Sequence, residues 1–172
     1  MGNLLFSPSG RIGPGQFMSG VTVLVIIGLV LGLLPIFVPV LAVLGIIGLV
    51  TLWCWVVLWV KRYHDGGKSG WMCLIPIIAW FVLLMIVGLI LPGMFQDPNA
   101  AAALAEATEA GDFGAIIQAS MGGGMTKTGQ IVNAVVGAVI SYIVAMLFNN
   151  MIKQDMHDNQ FGPYGTAGDT FS

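Results

Sequence analysis

Charge is what this sequence has least of. Six Lys+Arg and eight Asp+Glu make up 8% of the 172 residues, where a water-soluble domain carries about a quarter. A soluble globule could not keep its surface wet on so few. The net charge of −2, with no basic face, excludes nucleic-acid binding. Two cysteines, Cys54 and Cys73, are too few for a disulfide scaffold. Catalytic signatures are missing too: there is no Ser/His/Asp or Cys/His arrangement and no Gly-x-x-x-x-Gly-Lys-Ser/Thr phosphate loop. What is abundant is apolar surface, 57% hydrophobic residues with a mean hydropathy of +0.92, which also rules out intrinsic disorder. A small multi-pass membrane protein remains.

A transmembrane helix needs about 20 largely apolar residues. Val21 to Val60 contains no charged side chain. As one helix it would be about 60 Å long, about twice the hydrocarbon core, so it must fold back. Pro35 and Pro39 mark the turn, because proline removes a backbone donor and crowds the preceding turn. The expected fold is a single all-α domain with spans at about 17–34, 40–60, 71–91 and 131–152. The first apolar run is too long for a signal-peptide core, so no cleavage is expected. Phe6 stands where a myristoylation signal needs Ser or Thr.

Arg11, Lys61, Arg62, Lys68 and Lys153 fall on the tails and the 61–70 loop, against Lys127 alone in the 94–130 loop. The positive-inside rule therefore places both termini in the cytoplasm. It also makes free thiols of Cys54 and Cys73, near that boundary. Trp53, Trp55, Trp59, Tyr63 and Trp71 cluster there, most of them as expected interfacial anchors, while Trp53 and Trp80 sit deeper and could face lipid, a neighbouring helix or a pigment.

Helix faces suggest packing. Gly28 and Gly32 form a GxxxG pair in span 1. Asn133, Gly137, Ser141, Ala145 and Asn149 recur every four residues on span 4, an ordinary packing face or a docking face for a foreign helix. The outward loop is long for a bundle and reads as two short helices. Asp97-Pro98 starts the Ala-rich 99–110 stretch, which Gly111 stops; Asp112 caps a second helix, ended by Gly122-Gly-Gly124. Such helices bury little on their own and should lean on the membrane surface, the bundle or a partner.

The densest chemistry is Lys61-Arg-Tyr-His-Asp-Gly-Gly-Lys-Ser-Gly-Trp71. This segment resembles the Arg-x-His-Asp-x-Gly-x-Ser-Gly-Trp signature of a bacterial inner-membrane family catalogued as domain of unknown function 805. Gly10-Arg-Ile with Phe17 resembles the family's opening pattern, and Asn159-Gln-Phe-Gly-Pro163 its closing one. Pro14 departs from the usual basic residue and Phe161 from the usual Tyr. The 94–130 loop resembles an insertion. The resemblance implies four spans and an inner-membrane address, and brings no established activity.

These segments share the expected cytoplasmic face, where Asp65 should pair with Arg11 or Arg62. Two readings stand for Arg11, Arg62, His64, Asp65, Lys68, Ser69 and Trp71. One is a structural clasp; the other is a seat for an anionic lipid headgroup at the start of span 3. His64 and His157 match no metal-ligand spacing. No catalytic residue, metal or cofactor is expected, and bound phospholipid is the one ligand left open. The expected role is a non-catalytic accessory or assembly subunit among other membrane-protein subunits. Electron-transport and photosynthetic assemblies recruit such subunits, though nothing here selects one. The alternative is a lipid-binding protein or small-solute transporter working alone.

Overall fold

A computed structural model describes residues 2–121 and 124–164. Helix α1 (Gly2–Leu5) precedes α2 (Pro14–Phe37), and a 3₁₀ segment (Pro39–Ile46) leads into α3 (Ile47–Asp65). A short 3₁₀ turn (Gly70–Cys73) opens onto α4 (Leu74–Met94). Then come α5 (Ala100–Ala110), α6 (Phe113–Met121) and α7 (Lys127–Met151). Among the described residues four helical segments are long and apolar enough to cross a membrane, those of α2, α3, α4 and α7. Only 6% of the most apolar window of Gly70–Met94 is buried within the protein, so hydrocarbon must solvate the rest of that helix.

Boundaries differ from the sequence reading for physical reasons. Pro14 takes the first helical position, where its missing N–H costs nothing, so α2 starts earlier than expected. It then runs through Pro35, only two residues from its end. The break comes at Val38 (φ −131°, ψ 88°), driven out of the helical region by Pro39 behind it. Residues 39–46 form eight residues of 3₁₀ helix, an unusually long run, so α3 starts later than the expected span. At its other end α3 continues past Val60 to Asp65, because no helix breaker precedes Gly66. The basic stretch from Lys61 is therefore not loop but the last turn of a helix.

The four spans do not meet equally. α2 packs on α3 and α7, and α4 packs on α7. The chain tails, the α3–α4 turn and the C-terminal end of α7 gather at one end, which holds the main core. There Phe17 and Val21 of α2, Leu58 and Trp59 of α3, and Ala145 of α7 are buried. The Phe17 and Trp59 rings lie 4.6 Å apart, and Phe148 meets Trp59 edge-on. Trp59 and Tyr63 are thus core residues and not the interfacial anchors expected of them. Trp71, 81% exposed, remains placed for an anchor. Cys54 and Cys73 are buried free thiols.

At the far end the 94–130 excursion is zipped at its base: the Asp97 N–H donates to Gly124 O and the Thr126 N–H to Phe95 O, both at 2.8 Å. The N-cap of α5 is Asn99, displaced from Asp97-Pro98, whose turn lies just outside. Gly111 ends α5 in the left-handed region (φ 66°), and the Asp112 carboxylate accepts from the Ala115 N–H to cap α6. Gly122 and Gly123 of the expected stop lie outside the described residues. α5 and α6 pack on each other, and α6 leans on the 3₁₀ segment between spans 1 and 2.

Gly129 seals this end, since a Cβ there would lie 2.4 Å from the Phe95 Cβ. Gly129→Ala is expected to lower stability by about 1–3 kcal/mol through overpacking, read as a lower thermal midpoint in mild detergent. An unchanged midpoint would show that the Phe95 contact does not constrain the fold.

Candidate functional site

Because α3 stays helical to its end, Arg62 and Asp65 stand three residues apart on one face and pair along it: Arg62 Nη1 lies 2.9 Å from Asp65 Oδ2. The other carboxylate oxygen, Oδ1, accepts from Arg11 Nε at 3.0 Å. Asp65 therefore joins both arginines, where the sequence suggested one or the other. All three side chains are at most 2% exposed.

One carboxylate cannot neutralise two guanidinium groups, and helix ends absorb the excess. Arg62 Nη2 donates to the carbonyls of Asn149 and Ile152, at the C-terminus of α7, while its Nε donates to Asn149 Oδ1 at 2.5 Å. Arg11 donates to the carbonyl of Asp65, which ends α3, and to those of Asp155 and His157 in the tail. Terminal helix carbonyls lack intrahelical partners and carry the negative end of the helix dipole, so cations there satisfy both needs.

The tail hooks back over this cluster. The Asp155 N–H donates to Asp65 O at 2.8 Å, and Gln154 Nε2 donates to Asp65 Oδ1. Asn159 Nδ2 donates to His64 O, and the His64 ring stacks flat on Phe161, centroids 3.8 Å apart. His64 Nδ1 donates to Gly10 O at 3.1 Å, tying in the first segment. The Asp155 carboxyl is held below its ordinary value, first by the His157 backbone N–H and next by the Asn159 side chain. A carboxyl depressed in this way supports the fold above the ordinary carboxylate range, about pH 4, and loses that support as pH falls through its folded value.

Of the predicted residues, the structure brings together Arg11, Arg62, His64 and Asp65, and leaves three outside. Lys68 is exposed, the Ser69 hydroxyl caps the 3₁₀ turn by accepting from the Trp71 N–H, and Trp71 faces outward. The lipid-headgroup seat needs correcting, since Arg11 and Arg62 direct their donors into the protein and are buried from any headgroup. Asn149 and residues 154–158 are members that sequence reasoning missed, whereas Asn159 belongs to the closing segment it had placed on this face. The one available signal was an amide at the end of an apolar span.

Of the two readings of the stripe on α7, the structure favours packing over docking of a foreign helix, because from Gly137 to Asn149 it meets this protein's own bundle, while Asn133 is exposed. Asn149 and Ala145 are buried, and the Ser141 hydroxyl accepts from Trp80 Nε1 of α4 at 2.8 Å. Beyond Ser141, in the half of the bundle away from the clasp, Gly137 and the exposed Asn133 line a chamber of about 430 Å³ to which all four spans contribute and which is open on one side.

Comparison with known proteins gives one finding. Residues 5–100 match a family described as protein of unknown function (DUF805). The match includes the Arg11 and 61–71 segments and stops where α5 begins; the closing 159–163 segment lies outside it. No curated protein and no solved structure matches the chain.

Asp65→Ala would leave two buried guanidinium groups without their counter-ion, and is expected to cost about 3–5 kcal/mol. Lys68→Ala, at an exposed site, should stay within about 0.5 kcal/mol of the parent. Thermal unfolding in detergent measures both, and equal midpoints for the two variants would contradict the clasp.

Proposed function

Since the chain belongs to the DUF805 family of proteins of unknown function, its role has to be argued from geometry, and we propose that it is a non-catalytic accessory or assembly subunit of a larger inner-membrane complex. The observation that carries this reading is the internal use of the signature's charge. Arg11, Arg62 and Asp65 hold the chain to itself and present no acid, base or nucleophile to a substrate. A group sequestered in this way orders helix ends; it does not turn over a ligand.

The contact for a partner is the α5–α6 excursion. Its Ala-rich helix is exposed along most of its length, and Phe113 at the start of α6 is 73% exposed. A large aromatic ring left outside both the core and the spans favours a protein surface over water. The clasped end would face the cytoplasm, on the side that the basic residues select.

Two measurements test this. Extraction in mild detergent followed by native gel electrophoresis and mass spectrometry should place the protein in an assembly well above its own 18.2 kDa. A lone monomer would instead favour a lipid-binding protein or transporter acting by itself. For orientation, Glu106→Cys should react with a membrane-impermeant maleimide in intact spheroplasts, and Lys68→Cys only after the membrane is opened. The reverse pattern would invert the topology.

A further inference from the structure

The chamber in the unclasped half of the bundle is built by absence. Each span contributes a glycine to its wall: Gly28 of α2, Gly48 of α3, Gly88 of α4 and Gly137 of α7. Helix glycines in membranes usually let backbones touch. These do not. A Cβ at Gly28, Gly48 or Gly88 would meet nothing within 4 Å, and one at Gly137 would find only Leu84, at 3.9 Å. At Gly20, by contrast, a Cβ would stand 2.8 Å from Leu58. Glycine weakens a helix relative to alanine, so four glycines that relieve no contact act to keep the space open.

The chemistry of the lining narrows what fills it. Among the described residues no charged side chain borders the chamber, and Trp55 and Trp80 add indole surface to an otherwise largely aliphatic wall. Its hydroxyls are satisfied internally: Thr51 donates to Gly48 O, and Ser141 donates to Gly137 O while accepting from Trp80. The Asn133 amide, exposed on the open side of the chamber and about 9 Å in from the start of α7 at 1.5 Å per residue, bonds to no described residue. Water needs two to four polar partners to occupy such a site, and one amide is too few. Access is lateral. α3 and α4 meet through the 3₁₀ turn at the clasped end, and beyond it each packs mainly on another helix, α3 on α2 and α4 on α7. A second, smaller cavity lies along the same seam and shares Leu52, Trp55, Trp80 and Ser141 with the chamber.

We propose that the chamber is a binding site for a single long-chain acyl amphiphile, which enters between α3 and α4, fills the glycine-lined space with its chain and accepts a hydrogen bond at its carbonyl from Asn133. The site is separate from the clasp, and the inference holds whether the protein works alone or in an assembly. A membrane phospholipid and a free fatty acid present the same chemistry to it.

The test uses the full-length protein purified in mild detergent, with native mass spectrometry and lipid extraction. The parent should carry about one acyl amphiphile per chain, with its mass distinguishing phospholipid from free fatty acid. Gly28→Leu with Gly88→Leu, which fills the chamber with side chain, should reduce occupancy at least tenfold while the thermal midpoint holds or rises. Asn133→Leu, which removes one hydrogen bond, should reduce it roughly fivefold. Should the double variant not fold, Gly28→Leu alone is the second probe, with a smaller loss expected. A parent free of amphiphile, a filled variant that keeps its amphiphile, or a bound ring compound without an acyl chain would each overturn the proposal.

Discussion

Asp65 sits between two guanidinium groups where water scarcely reaches. A buried carboxylate with one cationic partner is already costly to arrange, and replacing such a pair with apolar residues often leaves a protein no less stable. What the ion cluster supplies here is identity of position. Asp65 lies at the end of α3, Arg11 ahead of α2, and Arg62 reaches the last carbonyls of α7. Three chain segments far apart in sequence are brought to one point, and the surplus positive charge is spread over carbonyls that the ends of α3 and α7 would otherwise leave unpaired. In hydrocarbon, where apolar contacts between helices gain little over contacts with lipid, polar bonds of this kind set which helix ends meet.

The bundle is therefore asymmetric along its axis. Its clasped half has an aromatic and aliphatic core around Phe17, Trp59 and Leu58. In the other half the span glycines line the chamber, and beyond it the α5–α6 excursion leans on the 3₁₀ segment. A bundle locked at one end and spaced at the other holds a fixed shape at the clasp while keeping room between helices beyond it. The Trp80–Ser141 hydrogen bond lies between the two halves, joining α4 to α7 at the level where core gives way to chamber.

Much of this was legible from residues in order. The spans were, because solvation by hydrocarbon is close to additive over consecutive side chains. So were the αL stop at Gly111 and the Asp112 cap, which depend on neighbours within four residues. The end of α3 was misplaced because Lys61 and Arg62 look like loop residues to any rule that bars charge from a span. They are tolerated in the helix because Asp65 and the α7 carbonyls receive Arg62. Asn149 could be placed only on a packing or docking face, because its spacing with Ala145 and Ser141 is helical and spacing does not say what the face meets.

The sequence by itself determined that the chain spans a membrane four times and that its charged signature gathers at one end, since both follow from local composition and from an even number of crossings. Only the tertiary structure decided that Asp65 serves two arginines at once, that the stripe on α7 faces inward, and that the span glycines ring a chamber. Those facts depend on distances between residues separated by up to a hundred or more positions. Such distances are set by how helices lean on one another, and no window of consecutive residues contains them.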